Sequence, residues 1–180
     1  NSSYGLPQTV IVGLADTAVQ ESRERVRSAI RNTGLEYPRK KVTINLAPAD
    51  LRKEGPFFDL PIAIGILAAN RIIPLTAFEN SLIIGELSLD GSVRHVRGIL
   101  PITAKAKESG FSRIYVPACD AREASLIPDI DVFPVTSLSV LYHHFIGTEQ
   151  IKPAGPMKIT QAIPEVLTDF KDIQGQEHVK

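Results

Sequence analysis

Between Arg23 and Lys53 nine basic side chains (Arg23, Arg25, Arg27, Arg31, Arg39, Lys40, Lys41, Arg52, Lys53) stand against three acidic ones (Glu24, Glu36, Asp50), a local excess of six positive charges in a chain whose net charge is zero. Such a cluster has the chemistry to neutralise phosphates. Each phosphate contacted releases counterions, so binding is salt-dependent and carries no sequence preference. Arg39-Lys40-Lys41 opens an extended segment from which long side chains project, and Arg52-Lys53 lie in a loop. These five are the candidate phosphate-backbone contacts. The competing reading is a solvated face with intersubunit salt bridges. Arg94, His95 and Arg97 form a smaller basic cluster.

Other chemistries lack their residues. No Gly is followed by Lys, so no P-loop lysine is present to hold nucleotide phosphates. A single cysteine, Cys119, excludes an intrachain disulfide and a CxxC thiolate zinc site, and it points to a reducing, cytoplasmic setting. Cys119 follows Pro117-Ala118 in a loop and has no His near it in sequence, so it reads as a structural thiol. His143 and His144 are adjacent and point about 100° apart on a helix, which is not the i, i+4 pair of a helical zinc site. No metal site is expected. Asp59 reads as a helix N-cap, Glu54-Gly55-Pro56 as a rigid turn, and Glu86, inside an apolar strand, as a carboxylate that needs a partner such as Arg52 or Arg97.

The elements that must position these groups follow from periodicity. Thr9 to Leu14 is a β-branched apolar run and reads as a buried strand. Thr17 and Gln20 can form a capping box for a helix whose inward stripe is Val19, Ser22, Val26, Ala29 and Ile30, closed by Gly34. Lys41 to Leu46 alternates as a half-buried strand. Leu60 to Asn70 is apolar all round and reads as a central buried helix, with Pro61 in its first turn. Ser81–Leu89, Asp90-Gly91 and Ser92–Val96 read as a hairpin with a type I′ turn. Helices over Leu100–Ser109, Ala121–Leu126 and Leu138–Ile146 alternate with strands Arg113–Val116 and Ile130–Val135. The order β α β α β β α β α β α implies an α+β fold with α/β-like layers.

At 180 residues the chain has ample length for a self-supporting core. With 43% hydrophobic and 22% charged residues it is not a disordered or wholly basic chain. No stretch reaches the ~20 apolar residues of a membrane span. Periodicity fails after Gly147, where Pro153, Gly155, Pro156 and Pro164 cluster. The expected organisation is a folded domain over 1–146, a linker over 147–168 and a polar segment over 169–180. The start at Asn1, without Met, reads as a piece of a longer protein.

Seven blocks in order carry a resemblance: Gly5-Leu6-Pro7, Ile11-Val12-Gly13-Leu14, Glu21 to Arg27, Asn45 to Asp50, Lys53-Glu54-Gly55-Pro56 with Phe58 to Gly65, Gly85 to Gly91, and Val96 to Pro101. Together they resemble the N-terminal domain of ComM / magnesium-chelatase-like (YifB-type) AAA+ proteins. The resemblance implies a ribosomal S5 domain 2-like fold, related to the Lon protease domain. Asp169-Phe170 and Gly175-Gln176-Glu177-His178 resemble the start of the family's AAA+ module, so ATP and Mg would be bound outside this chain and no cofactor is expected within it. Lon-type proteases place a nucleophilic Ser before the buried helix and a Lys on the helix after the hairpin. The matched positions here are Phe57 and Leu100, with Lys105 and Lys107 further along, so no Ser–Lys dyad is expected. The family further implies a hexameric helicase that promotes DNA branch migration in natural transformation. The partners implied are DNA and further copies in a ring, with no membrane. A purely structural oligomerisation or protein-docking role is the alternative, and a magnesium-chelatase role follows from the family name alone.

Overall fold

The structure, a computed structural model, describes residues 2–3, 9–13, 16–48, 50, 53 and 55–155. Its strands are β1 (Ser2–Ser3), β2 (Thr9–Val12), β3 (Lys41–Asn45), β4 (Ser81–Ile83), β5 (Glu86–Leu87), β6 (Val93–Arg94), β7 (Arg113–Pro117) and β8 (Asp131–Val135). Its helices are α1 (Thr17–Asn32), α2 (Asp59–Ala69), α3 (Ile99–Glu108), α4 (Ala121–Ala124) and α5 (Leu138–Phe145). Among the described residues no helix is long and apolar enough to cross a membrane.

Two small sheets carry the parallel pairings. In the first, order β1-β3-β2, β2 and β3 are parallel and joined through α1, while β1 is antiparallel to β3. In the second, order β4-β7-β8, all neighbours are parallel. Strand side chains alternate between faces, so β7 and β8 serve two cores at once. Tyr115 and Val135 face the core built on α1, α2 and α5. Ile114, Val116 and Val132 face the core built on α3 and α4. The architecture is mixed α/β, helices covering both faces of a parallel sheet.

Helix α1 buries Val19, Ser22, Val26, Ala29 and Ile30, the stripe its spacing predicts, and Gly34 follows it at φ 78°. Its cap is not the Thr17–Gln20 box. Asp16, with extended backbone, accepts a hydrogen bond from the Val19 N–H at 2.8 Å, so the helix begins one residue earlier. The second carboxylate oxygen of Asp16 accepts the Gly55 N–H, tying the loop before α2 to α1.

Helix α2 corrects the reading of Asp59. Residues Pro56–Phe58 already form a 3-10 turn and Phe58 has right-handed helical angles, so Asp59 lies inside the first turn and cannot take the extended cap conformation. Its side chain is fully buried and accepts two bonds from Arg25. Nor is α2 covered all round. Eight of its eleven residues are buried, but Gly65 and Ala69 are exposed. With Val42, Ile44 and Phe58 they border an apolar groove of about 270 Å³.

The expected hairpin exists, but Ser81–Leu89 is not one strand. The chain leaves the second sheet after Ile83 and enters the β5–β6 ribbon at Glu86. Gly85 makes the break possible. Its carbonyl accepts the Leu60 N–H at the start of α2, and a Cβ there would stand 2.9 Å from Val93 Cγ1. The turn is also not type I′, because Asp90 is not among the non-glycine residues with positive φ. The Gly91 N–H bonds to the Ser88 carbonyl and the Ser88 N–H to the Ser92 carbonyl. That is a three-residue loop with only Gly91 (φ 87°) left-handed.

Helices α3, α4 and α5 fall where periodicity places them, α4 ending at Ala124 rather than Leu126. Beyond α5 the chain stays on the domain as far as it is described. The Ala154 N–H bonds to the Val132 carbonyl, and the Ile151 N–H donates to His144 Nδ1. Residues 156–180, with the rest of the expected linker and the 169–180 segment, lie outside the described residues.

Candidate nucleic-acid interface

Arg23, Arg27 and Arg31 recur every fourth residue along α1 and so stand on one face, away from the buried stripe. After the turn at Gly34 the chain returns beside that face. Tyr37 is anchored there by its hydroxyl, 2.7 Å from Thr9 Oγ1 on β2. The Arg27 guanidinium lies over the Tyr37 ring, 6.0 Å from its centroid. Arg39 completes the wall. The four arginines, Tyr37 and Glu24 border a groove of about 420 Å³, which continues past Arg31 and Arg39 into a second hollow of about 280 Å³. Arg23 is partly compensated by Glu24, 3.3 Å away. Among the described residues neither Arg31 nor Arg39 has a carboxylate within ion-pair distance.

The structure divides the five residues chosen from sequence. Arg39 joins the groove. Lys40 and Lys41 are exposed beside it, at the bend and at the first position of β3. Lys53 is withdrawn: only 8% exposed, its Nζ donates to the Pro48 carbonyl, so it cannot reach a phosphate. Arg52 lies outside the described residues. What the choice missed was the Arg23–Arg27–Arg31 stripe. Its interval of four was the available signal, but a charged outer helix face is ordinary until another element turns it into a wall.

A second concavity, of about 600 Å³, is bordered by Gly55, Phe57, Glu86, His95 and Arg97 among others. Phe57, the position matched to a Lon-type serine, lies in it and packs against Phe58, with ring centroids 4.3 Å apart and planes tilted by 36°. Leu100, the position matched to the lysine, is half-buried in the first turn of α3. Lys105 and Lys107 sit at the far end of that helix and pair with Glu108 and Asp129. No serine or lysine is among the described residues that border this cleft. Glu86 faces it with Arg97, without an ion pair between them; its charge acts instead on Arg25, whose guanidinium is held above its ordinary value chiefly by the Asp59 hydrogen bond.

One grouping was invisible in sequence. His95, just after β6, and Cys119-Asp120, in the turn after β7, bring an imidazole nitrogen, a thiol and a carboxylate within 4.8 Å of one another. Cys119 has no His near it in sequence, but the fold closes a gap of 24 residues and sets His95 beside it. Burial first, then the charge and hydrogen bond of Asp120, pushes the Cys119 thiol up. The two adjacent histidines of α5 point apart: His143 Nδ1 meets Thr148 Oγ1 at 2.8 Å and His144 Nε2 meets the Tyr115 hydroxyl at 3.2 Å.

The fold and the groove together define a mixed α/β domain with one strongly cationic face. Residues 1–120 match the family model described as subunit ChlI of Mg-chelatase, and the chain belongs to that family. It is a domain of the ComM/YifB type. It is 41% identical over 179 residues to the uncharacterized protein YifB of Escherichia coli (99% of this chain, 35% of that protein). It is 38% identical over 181 residues to competence protein ComM of Haemophilus influenzae (99% and 35%). A Mycobacterium tuberculosis protein is 42% identical over 176 residues (98% and 35%). The chain thus spans about a third of the length of these relatives. Shorter matches reach Lon protease 2 of Bacillus subtilis, 31% identical over 97 residues (53% and 17%), and DNA repair protein RadA of Treponema pallidum, 33% over 94 residues (52% and 20%).

Proposed function

We propose that this chain is a non-catalytic accessory domain, with an S5 domain 2-like fold, of a hexameric AAA+ helicase that drives DNA branch migration in natural transformation. Its own task is to guide DNA along the arginine groove. ATP and Mg are handled by a module outside this chain, in the cytoplasm. The observation that carries this reading is the convergence of Arg23, Arg27, Arg31 and Arg39 on one groove with Tyr37 on its wall. Arginine forks suit phosphate oxygens, and an aromatic wall adds a stacking surface. The names of two relatives, a competence protein and a DNA repair protein, support a nucleic-acid setting. Phe57 and Leu100 at the dyad positions support the absence of proteolysis.

The test is DNA binding by fluorescence anisotropy across a salt series. The log–log slope should fall by about 0.7–0.9 for each phosphate that a variant no longer neutralises. Arg27→Glu, Arg31→Glu and Arg39→Glu combined should abolish binding at moderate salt. Unchanged affinity would move the assignment to the second reading, a docking or ring-organising domain. The open apolar groove between β3 and α2 is what favours that reading.

A further inference from the structure

We propose that His95, Cys119 and Asp120 form a three-donor site for a borderline-soft divalent metal of the zinc class, at the rim of the cleft that holds Phe57. The site is independent of the arginine groove.

Three observations carry it. First, the donors are one nitrogen, one sulfur and one oxygen, all within 4.8 Å of one another. At a tetrahedral zinc with bonds of 2.0–2.3 Å, donors stand roughly 3.4 Å apart. His95 Nδ1 and Asp120 Oδ1 are 2.5 Å apart, so they must open by about 1 Å, and the sulfur, within 4.8 Å of both, must close by at most about 1.4 Å. His95 and Cys119 are both exposed, at the end of a ribbon and in a turn, and can make these movements. Secondly, the carboxylate is already built in as a ligand. Asp120 is 4% exposed, and its other oxygen accepts the Val96 N–H at 2.8 Å, the kind of outer-shell bond that fixes a ligand's direction. Its backbone is held as well, by bonds to the Pro117 carbonyl and from the Ala124 N–H. Thirdly, the charges balance. A buried carboxylate calls for a compensating cation, and an exposed imidazole supplies one only when protonated. A divalent ion, the Asp120 carboxylate and the Cys119 thiolate sum to zero, with the thiol proton released to solvent on binding.

The donor set selects the metal. Thiolate and imidazole exclude Mg²⁺ and Ca²⁺, which take oxygen ligands, and favour Zn²⁺ and its neighbours.

Co²⁺ is the probe, added to the 180-residue chain without oxygen or thiol reductant. Cys119 is the only cysteine in the sequence, so any thiolate-to-cobalt charge-transfer band reports on it alone. The expected result is that band together with visible bands of four-coordinate intensity, saturating at one Co²⁺ per chain and erased by Zn²⁺. Cys119→Ser should remove the charge-transfer band. His95→Gln should weaken Co²⁺ binding by at least about tenfold, since even outer-shell changes cost 10–100-fold. Both variants alter exposed side chains, and circular dichroism checks that they fold. A wild-type chain without the band, saturation at half an equivalent, or unchanged affinity in His95→Gln would each overturn the assignment.

Discussion

Two buried aspartates flank the β5–β6 ribbon, and they are held in opposite ways. Asp59 accepts the Leu87 N–H from β5, and Asp120 accepts the Val96 N–H just beyond β6. Asp59 is answered by Arg25, whose Nε and one terminal nitrogen reach the two carboxylate oxygens at 2.7 and 3.1 Å. Ser22 Oγ accepts a further bond from Arg25, and Glu21 stands at 3.7 Å. A guanidinium is always charged and its fork matches a carboxylate, so this pair is a closed lock between α1, α2 and the ribbon. Asp120 is answered by an imidazole that is 60% exposed and by a neutral thiol. Neither partner carries an obligatory charge, and both reach solvent. The same buried carboxylate chemistry thus serves as a permanent tie on one side and as an open, exchangeable position on the other.

The sharpest way to break this contrast is Arg25→Ala. It leaves Asp59 buried and uncompensated, so denaturant unfolding should show a loss of about 3–5 kcal/mol. A loss below about 1 kcal/mol, the level of a surface pair, would mean that Asp59 is relieved in some other way and that the two sites do not differ in kind. His95→Gln in the metal-free chain should cost less than about 1 kcal/mol, because the imidazole removed is mostly exposed. A cost equal to that of Arg25→Ala would make His95–Asp120 a second lock.

The smallest effect lies at a third polar contact, where His144 holds the segment after α5. Burial, with the Arg113 charge adding to it, keeps His144 below its ordinary value of 6.5. The Ile151 N–H donates to Nδ1, so a protonated ring would set two donors face to face. The folded state resists this proton and the unfolded chain does not. Stability is therefore full above pH 6.5, falls as pH drops below it and levels off once the folded-state value is passed. The change should stay well under about 1 kcal/mol because solvent screens a half-exposed ring. Thermal melts at neutral and acidic pH should differ more for the wild type than for His144→Gln. The protection factor of the Ile151 amide, its exchange rate referred to the intrinsic rate at each pH, should fall in acid only with His144 present.

How much of this was legible varies with the range of the forces involved. The α1 stripe, the Gly34 and Gly110 stops, Pro101 in the first turn of α3 and the β7–β8 segments depend on neighbours within a few residues. Asp59 was misread because a local rule, that Asp before an apolar helix is a cap, was overruled by an arginine 34 positions away. Lys53 was misread because charge in a loop normally means exposure, and here a nearby carbonyl holds the ammonium inside. The hairpin was misread in its first strand, which breaks at Gly85, and in its turn, which is a three-residue loop. Asp-Gly is compatible with several turns, and the docking of the loop on Asn32 and Leu138 sets which one forms.

Alone, the order of residues determined where the five helices and most of the strands lie, which faces are apolar, and that a serine–lysine pair is missing from the matched positions. It did so because periodicity, caps and residue chemistry act over one or two turns of chain. Only the tertiary structure decided which charges remain at the surface, that four arginines share a groove, and that a histidine meets a cysteine and a buried aspartate. Those outcomes depend on distances between segments far apart in sequence, and burial acts on them through a dielectric that the chain acquires only once it is folded.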